Sequence, residues 1–314
     1  MEHNYINHVA VIGAGLMGHG IAQAFAQKGF RITLYDLSDH ILEESLKKIE
    51  SNLSVFAELG LIEQQTIQET FSRIEINTDL KDTVKKADFV IEAVPEDLEL
   101  KRKVFKDIDR NTPDHTILAS NTSMLQISEF GSEVLKKDKL IITHWFNPPY
   151  IVPVVEIVMG QKTSENTYQN THSLLKKIGK KPIKVQKEIP GFLINRIQTA
   201  MFREVLSLLE KGIASAEDID EAIKGSFGLR LSVIGVLETM DMAGLDLMFK
   251  GTKYLFNFIE NSTEPPKILK EKVEKGELGI KTGKGFFTYG DAISSQKTQY
   301  RDKKLLKILK ELPT

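Results

Sequence analysis

The feature that most constrains this chain is Val9-Ala10-Val11-Ile12-Gly13-Ala14-Gly15-Leu16-Met17-Gly18, an apolar run that breaks into glycines and resumes as Ile21-Ala22-Gln23-Ala24-Phe25. It predicts a strand, a tight turn and a helix. A strand that opens directly into a helix N-terminus gathers backbone N–H groups and the positive end of the helix dipole in one place, where a pyrophosphate can sit. Gly13 allows the turn, Gly15 lets phosphates approach the backbone, and Gly18 lets helix and strand pack closely, with Ala14, Leu16 and Met17 completing the cofactor turn. Such a glycine pattern arises by chance in many turns, so its context decides. The next apolar segment, Arg31 to Tyr35, alternates as a half-buried strand should and ends in Asp36, where a ribose-binding acid belongs. A carboxylate there accepts hydrogen bonds from the 2′-hydroxyl of NAD and repels the 2′-phosphate of NADP. No arginine follows at Leu37 or Ser38, so NAD is the expected cofactor.

With 314 residues the chain is long enough for two cores. Its 42 basic and 43 acidic residues leave a formal net charge of −1, which gives no global field to recruit nucleic acid or an acidic membrane surface. Neither is expected as a partner. The absence of cysteine removes thiol catalysis, disulfides and cysteine-ligated metal, and no metal site is expected. The start, Met1 to Tyr5, lacks the basic opening and apolar stretch of a signal peptide. The longest uncharged apolar stretch, Leu140 to Val155, contains His144, Asn147, Pro148, Pro149 and Pro153, which rules it out as a membrane helix. A cytoplasmic enzyme is the expectation.

After Asp36 a helical region runs from Ile41 to about Arg73 with a break at Gly60, an inserted helical hairpin; its Lys47 and Lys48 read as solvated surface before they read as contacts to a phosphate-bearing substrate tail. The parallel-sheet pattern resumes at Asp88 to Val94, followed by Glu96 and Lys101, which lie near the carboxyl end of the strand where cofactors bind, or are ordinary helix-start charges. The strand Thr116 to Ala119 delivers Ser120-Asn121-Thr122-Ser123, and Ser123 is also placed to cap the next helix. The strand Leu140 to Thr143 delivers His144 at its end, beside prolines that lock the loop. Glu156, alone in the apolar run Val154 to Val158, needs a partner, because an unpaired buried carboxylate is expensive. His144 is the candidate with a use for it. Pro182 to Val185 closes the first domain, and Pro190-Gly191 marks the boundary to an almost wholly helical second half. Its first helix, from Phe192 onward, is apolar on more than one stripe, which predicts a subunit interface as well as a core.

These residues together resemble the 3-hydroxyacyl-CoA dehydrogenase family from Val9 to about Tyr289. The likeness rests on Gly-Ala-Gly-Leu-Met-Gly at 13–18, Ser-Asn-Thr-Ser at 120–123, His-Trp-Phe-Asn-Pro at 144–148, Val-Glu-Ile-Val at 155–158, Pro-Gly-Phe-Leu-Ile-Asn-Arg at 190–196 and Lys-Thr-Gly-Lys-Gly-Phe at 281–286. It implies an α/β chain: a Rossmann-type NAD-binding domain over 1–187 and an all-α substrate and dimerisation domain over 188–290; past the likeness, residues 291–314 read as a polar to basic tail with a short amphipathic stretch. It also implies a homodimer, a role in fatty acid metabolism, and reversible NAD-linked oxidation of an L-3-hydroxyacyl-CoA to the 3-oxoacyl-CoA. Carried over by position, His144 is the general base, Glu156 its partner, and Ser123 and Asn195 orient substrate, while Glu96, Lys101, Asn147 and Lys284 contact the cofactor. The chemistry agrees, because removing a hydroxyl proton while hydride leaves the same carbon needs a base that titrates near neutrality. Two departures bear on substrate. Leu231-Ser232-Val233-Ile234-Gly235-Val236-Leu237-Glu238 replaces the usual His-Pro-Met-Gly-Pro segment, and Asn-Pro-Pro-Tyr at 147–150 looks more like relatives that oxidise free hydroxy compounds such as gulonate or carnitine.

Overall fold

The structure, a computed structural model, describes residues 6–289 and 293–311; the Met1 to Tyr5 start and Ala292 lie outside them. The chain divides into two compact units, Met1–Asn195 and Arg196–Thr314.

In the first unit the elements run β1 (His8–Ile12), α1 (Gly18–Ala26), β2 (Arg31–Tyr35), α2 (Asp39–Glu58), α3 (Gln64–Phe71), β3 (Ile74–Asn77), α4 (Leu80–Val84), β4 (Phe89–Glu92), α5 (Leu98–Asn111), β5 (Ile117–Ser120), α6 (Ile127–Phe130), β6 (Leu140–Trp145), β7 (Val154–Met159), α7 (Glu165–Lys177) and β8 (Lys181–Val185). The strands form one eight-stranded sheet in the order β3-β2-β1-β4-β5-β6-β7-β8. Every neighbouring pair is parallel except β6 with β7. The chain winds outward from β1 in both directions, so the crevice past the carboxyl ends of β1 and β4 is the point where a doubly wound sheet binds its ligand.

The central strands read as unbroken apolar runs because both sheet faces are covered. Along β1, Val9 and Val11 join one buried cluster with Ile21, Phe25 and Trp145. Ala10 and Ile12 join the opposite one with Phe105, Phe130 and Phe192. The inserted hairpin is present, with Gly60 at φ +63° between α2 and α3. It ends earlier than expected, and the residues after it, Ile74–Asn77, pair with β2 as an edge strand that the sequence pattern does not predict. A four-residue strand has too little alternation to stand out behind a long helical pattern.

The second unit holds most of α8 (Ile194–Glu210), then α9 (Ala216–Ile223), α10 (Leu229–Leu231), α11 (Val236–Ala243), α12 (Leu245–Leu255), α13 (Lys267–Glu274) and α14 (Ile293–Glu311). Ser215 caps α9, its hydroxyl accepting from the Asp218 amide at 3.0 Å. The helix expected from Phe192 starts two residues later, since Phe192 itself adopts φ +49° with its ring in the core. The tail forms a longer helix than the amphipathic stretch suggested, 19 residues with Leu306 buried.

Candidate active site

The glycine turn leaves β1 where β4 lies alongside it. A side chain on Gly13 would meet the Ala93 carbonyl oxygen at 2.8 Å, and one on Gly18 would meet the Gly13 oxygen at 1.7 Å, so both positions demand glycine. Above Gly15 nothing stands within 4 Å. That open cradle at the head of α1 fits a pyrophosphate. Asp36, at the end of β2, reaches the same turn: its Oδ2 accepts from the Ala14 amide at 2.8 Å and its Oδ1 from the Leu37 amide at 2.8 Å. Each oxygen keeps a lone pair for a ribose hydroxyl. His19, in the first turn of α1, bonds the Gly15 carbonyl at 2.8 Å, and burial pushes its imidazole below the usual value.

At the end of β4 the structure gathers a network that sequence reasoning saw only in part. Lys101 is 1% exposed and its Nζ donates to Glu92 Oε1 at 2.7 Å and lies 3.3 Å from Glu96 Oε2. Glu92 also accepts from the Ser120 hydroxyl at 2.6 Å and the Val94 amide at 2.8 Å. Burial pushes the Glu92 carboxyl up, and the ammonium, hydroxyl and amide that donate to it oppose that push. Glu96 accepts from the Thr122 hydroxyl at 2.5 Å and from the Ser123 and Met124 amides at 3.1 and 3.0 Å. Burial raises its carboxyl, but Thr122, Lys101 and the Met124 amide together hold it below the ordinary range. Glu96 and Lys101 are therefore brought together, and through Glu96 they seat the loop that carries Ser123. Ser123 does not cap the next helix; α6 is closed by a capping box between Gln126 and Glu129. Glu92, missed in the sequence, was open to the argument that found Glu156: a carboxylate inside an apolar strand needs a partner.

His144 and Glu156 face each other across the antiparallel pair β6 and β7, in direct register. Opposed residues share one side of the sheet with their Cβ atoms close, which is why a loop's worth of sequence separates two side chains that touch. His144 Nδ1 lies 2.7 Å from Glu156 Oε2. A carboxylate only accepts, so Nδ1 carries the hydrogen and Nε2 keeps its lone pair. No hydrogen-bond partner takes up Nε2 among the described residues. Glu156 is fully buried, and its Oε1 accepts from the Leu193 and Ile194 amides, each at 3.0 Å. One carboxylate thus holds both the imidazole and the start of α8. The next residue on that helix, Asn195, donates through Nδ2 to the Ser123 carbonyl at 3.0 Å. Asn121 Oδ1 accepts from the Trp145 amide at 2.9 Å and ties the same loop to the strand of His144. Ser123, His144, Glu156 and Asn195 are joined in one hydrogen-bonded assembly within the first unit.

Asn147 lies two residues past β6, on the loop that returns to β7. Lys284 belongs to the second unit, where it pairs with Glu277 at 2.7 Å. Two lysines, Lys272 and Lys284, hold the Glu277 carboxyl down at about 2.

A doubly wound sheet, a glycine turn with an acid at the end of the second strand, and polar side chains at the carboxyl ends of the following strands define an NAD-dependent oxidoreductase. Residues 8–189 match the 3-hydroxyacyl-CoA dehydrogenase NAD binding domain and residues 191–289 the 3-hydroxyacyl-CoA dehydrogenase C-terminal domain. The chain belongs to the 3-hydroxyacyl-CoA dehydrogenase family. It is 36% identical over 295 residues to the mitochondrial hydroxyacyl-coenzyme A dehydrogenase of Homo sapiens, covering 90% of this chain and 91% of that one. It is 33% identical over 284 residues to the 5-formyl-3-hydroxy-2-methylpyridine 4-carboxylate 5-dehydrogenase of Mesorhizobium japonicum, again covering 90% and 91%. A solved structure of a 5-dehydrogenase of that pyridine carboxylate, described as an NAD+ dependent dismutase, superposes with a TM-score of 0.90 at 32% identity, over 96% of this chain and 97% of that one.

Proposed function

We propose that this enzyme oxidises the 3-hydroxyl of an L-3-hydroxyacyl-CoA to the 3-oxoacyl-CoA, reversibly, with His144 as general base and Glu156 as its partner. The observation that carries the reading is the 2.7 Å contact of His144 Nδ1 with a buried carboxylate, which leaves Nε2 as the acceptor. Nε2 takes the hydroxyl proton as the C–H bond breaks, and in reduction the imidazolium returns that proton to the carbonyl oxygen. Bound NAD supplies the hydride acceptor. Glu156 stabilises the imidazolium and fixes the ring's tautomer, and the Leu193 and Ile194 amides keep the carboxylate from turning away. The Ser123 hydroxyl and the Asn195 amide hold the reacting oxygens, a role supported by the bond that locks the two residues together. Glu96, Lys101, Asn147 and Lys284 are the proposed cofactor contacts outside the glycine turn.

A second reading, a free hydroxy compound in place of the CoA ester, is supported by the TM-score of 0.90 with an enzyme named for a pyridine carboxylate. The altered Leu231 to Glu238 segment and Asn-Pro-Pro-Tyr at 147–150 favour it too. Acetoacetyl-CoA reduction with NADH, set beside oxidation of carnitine, gulonate and a hydroxymethyl pyridine carboxylate with NAD, separates the two. Turnover of acetoacetyl-CoA alone supports the first reading, and turnover confined to the free compounds overturns it.

We also propose a homodimer formed through the second unit. Support comes from a groove of about 330 Å³ lined by Phe202, Leu206, Leu209, Ile219, Phe286 and Phe287. Beyond it, Leu245, Phe249, Phe256 and Phe258 are all exposed. Sedimentation of the purified chain tests this; a monomer at micromolar concentration overturns it.

A further inference from the structure

The loop from Asn147 to Pro153 joins the strand of His144 to the strand of Glu156, and a buried amine from elsewhere in the sheet holds it. Lys180, between α7 and β8, is 8% exposed. Its Nζ donates to the Pro149 carbonyl at 2.6 Å and to the Val152 carbonyl at 2.8 Å. The same nitrogen lies 5.1 Å from the centroid of the Trp145 ring, the neighbour of His144 and the only tryptophan in the chain. An ammonium has three hydrogens, and here two carbonyls and an indole face receive them. The loop in turn packs on α1. A Cβ on Gly20 would meet Pro149 Cγ at 2.7 Å and Tyr150 Cδ1 at 2.8 Å, so loop and helix are in contact where no side chain intervenes. That helix begins at the glycine turn.

We propose that Lys180 is a positioning residue for the dinucleotide site: its amine clamps the loop between the two catalytic strands, and so fixes Asn147 and the face of α1 against which the loop rests. The proposal deepens the reading of Asn147 as a cofactor contact and rests on it. It is independent of His144 acting as a base. Satisfying two loop carbonyls is a job that water or a hydroxyl does without burying a charge, and here burial pushes the amine from its ordinary value down to about 7. Burial is the sole cause of that shift. The charged groups on the surrounding elements are elsewhere engaged or themselves cationic. On α7, Lys177 lies over Phe30; on β8, Lys184 lies over Tyr168; His19 on α1 bonds Gly15, and His144 on β6 bonds Glu156. Lys176 and Lys181, on either side in sequence, are cations as well. As pH rises through about 7 the positive charge beside the indole is lost, while the neutral amine keeps two hydrogens for the two loop carbonyls.

The test uses the full chain, NADH as the probe, and Trp145 as an internal reporter. In Lys180→Met, which keeps a long apolar stem under the indole, NADH binding is expected to weaken about tenfold, the loss appropriate to a hydrogen bond from a charged donor, with KM for NADH rising and kcat little changed. In the unsubstituted enzyme, Trp145 emission should show a transition near pH 7 that Lys180→Met lacks. NADH affinity unchanged in Lys180→Met, whether or not its melting temperature falls, overturns the proposal, because lost stability alone is what a purely structural lysine would give. Should that variant not fold, Lys180→Gln, which keeps one amide donor for a loop carbonyl, takes its place, and unchanged NADH affinity in it overturns the proposal. NADH binding and Trp145 emission need no substrate, so failure of the dehydrogenase reading would be seen separately.

Discussion

The two units bury their chains in different ways. In the first, strands β1, β4, β5 and β6 are buried almost end to end, and the polar groups Glu92 on β4 and His144 on β6 are buried with their partners, Lys101 on α5 and Glu156 on β7. In the second, Ser207, Ile219, Gly285, Asp302 and Leu306 are the buried residues among those described, while Leu245, Phe249, Tyr254 and Phe256 stand exposed. A monomer seldom leaves so much apolar surface in water. The first unit builds its own core and can therefore hold a carboxylate and an imidazole at fixed geometry. The second is a surface in need of cover.

That contrast breaks most visibly at His144. His144→Ala should lower turnover by roughly 10²- to 10⁴-fold, the range of a lost general base, while NADH affinity stays unchanged. Equal turnover would remove the imidazole from the mechanism. In the second unit, Phe249→Asp together with Phe256→Asp should convert the proposed dimer to monomer in sedimentation, because a desolvated charge on each face opposes burial. An unchanged assembly would place the interface elsewhere. Glu156→Ala leaves a buried imidazole hydrogen and the Leu193 and Ile194 amides unpaired, and should destabilise the first unit by about 1–3 kcal/mol in denaturant unfolding. No loss would mean that water takes the carboxylate's place. At the glycine turn, Asp36→Ala should narrow the preference for NAD over NADP about tenfold in kcat/KM, and an unaltered ratio would leave the acid only its bond to Ala14.

The smallest effect is on stability against pH. Lys180 titrates at about 7 in the folded chain and at its ordinary 10.5 when unfolded. Between those values the unfolded chain binds the extra proton, so this group makes stability rise with pH across that window, and it contributes no slope below it, where both states are protonated. Lys180→Met should flatten that rise in denaturant unfolding followed at several pH values.

The sequence made legible whatever depends on neighbours along the chain. The glycine turn, Asp36 and the strand ends all follow from short patterns whose physics is local. His144 with Glu156 was legible for a different reason: an isolated carboxylate in an apolar strand raises the question of its partner, and antiparallel pairing answers it. The same question asked of Glu92 would have led to Lys101, which the sequence placed near the cofactor and the structure turns inward. Lys180 was out of reach. Its partners are backbone carbonyls on a loop some thirty residues away, and nothing in the residue types around it marks which carbonyls need a donor. The edge strand β3 was hidden by brevity, and the second unit's exposed helices read as helices without saying what they pack against.

The central claim is that the imidazole and its carboxylate act as one unit. A double-mutant cycle in kcat/KM over His144→Ala and Glu156→Gln, which keeps a carbonyl oxygen for the Leu193 and Ile194 amides, with NADH binding verified in each variant, tests it most directly. The account predicts that the double variant loses no more than His144→Ala alone, since the carboxylate has nothing to assist once the imidazole is gone. Losses that multiply would show two independent contributions and contradict it.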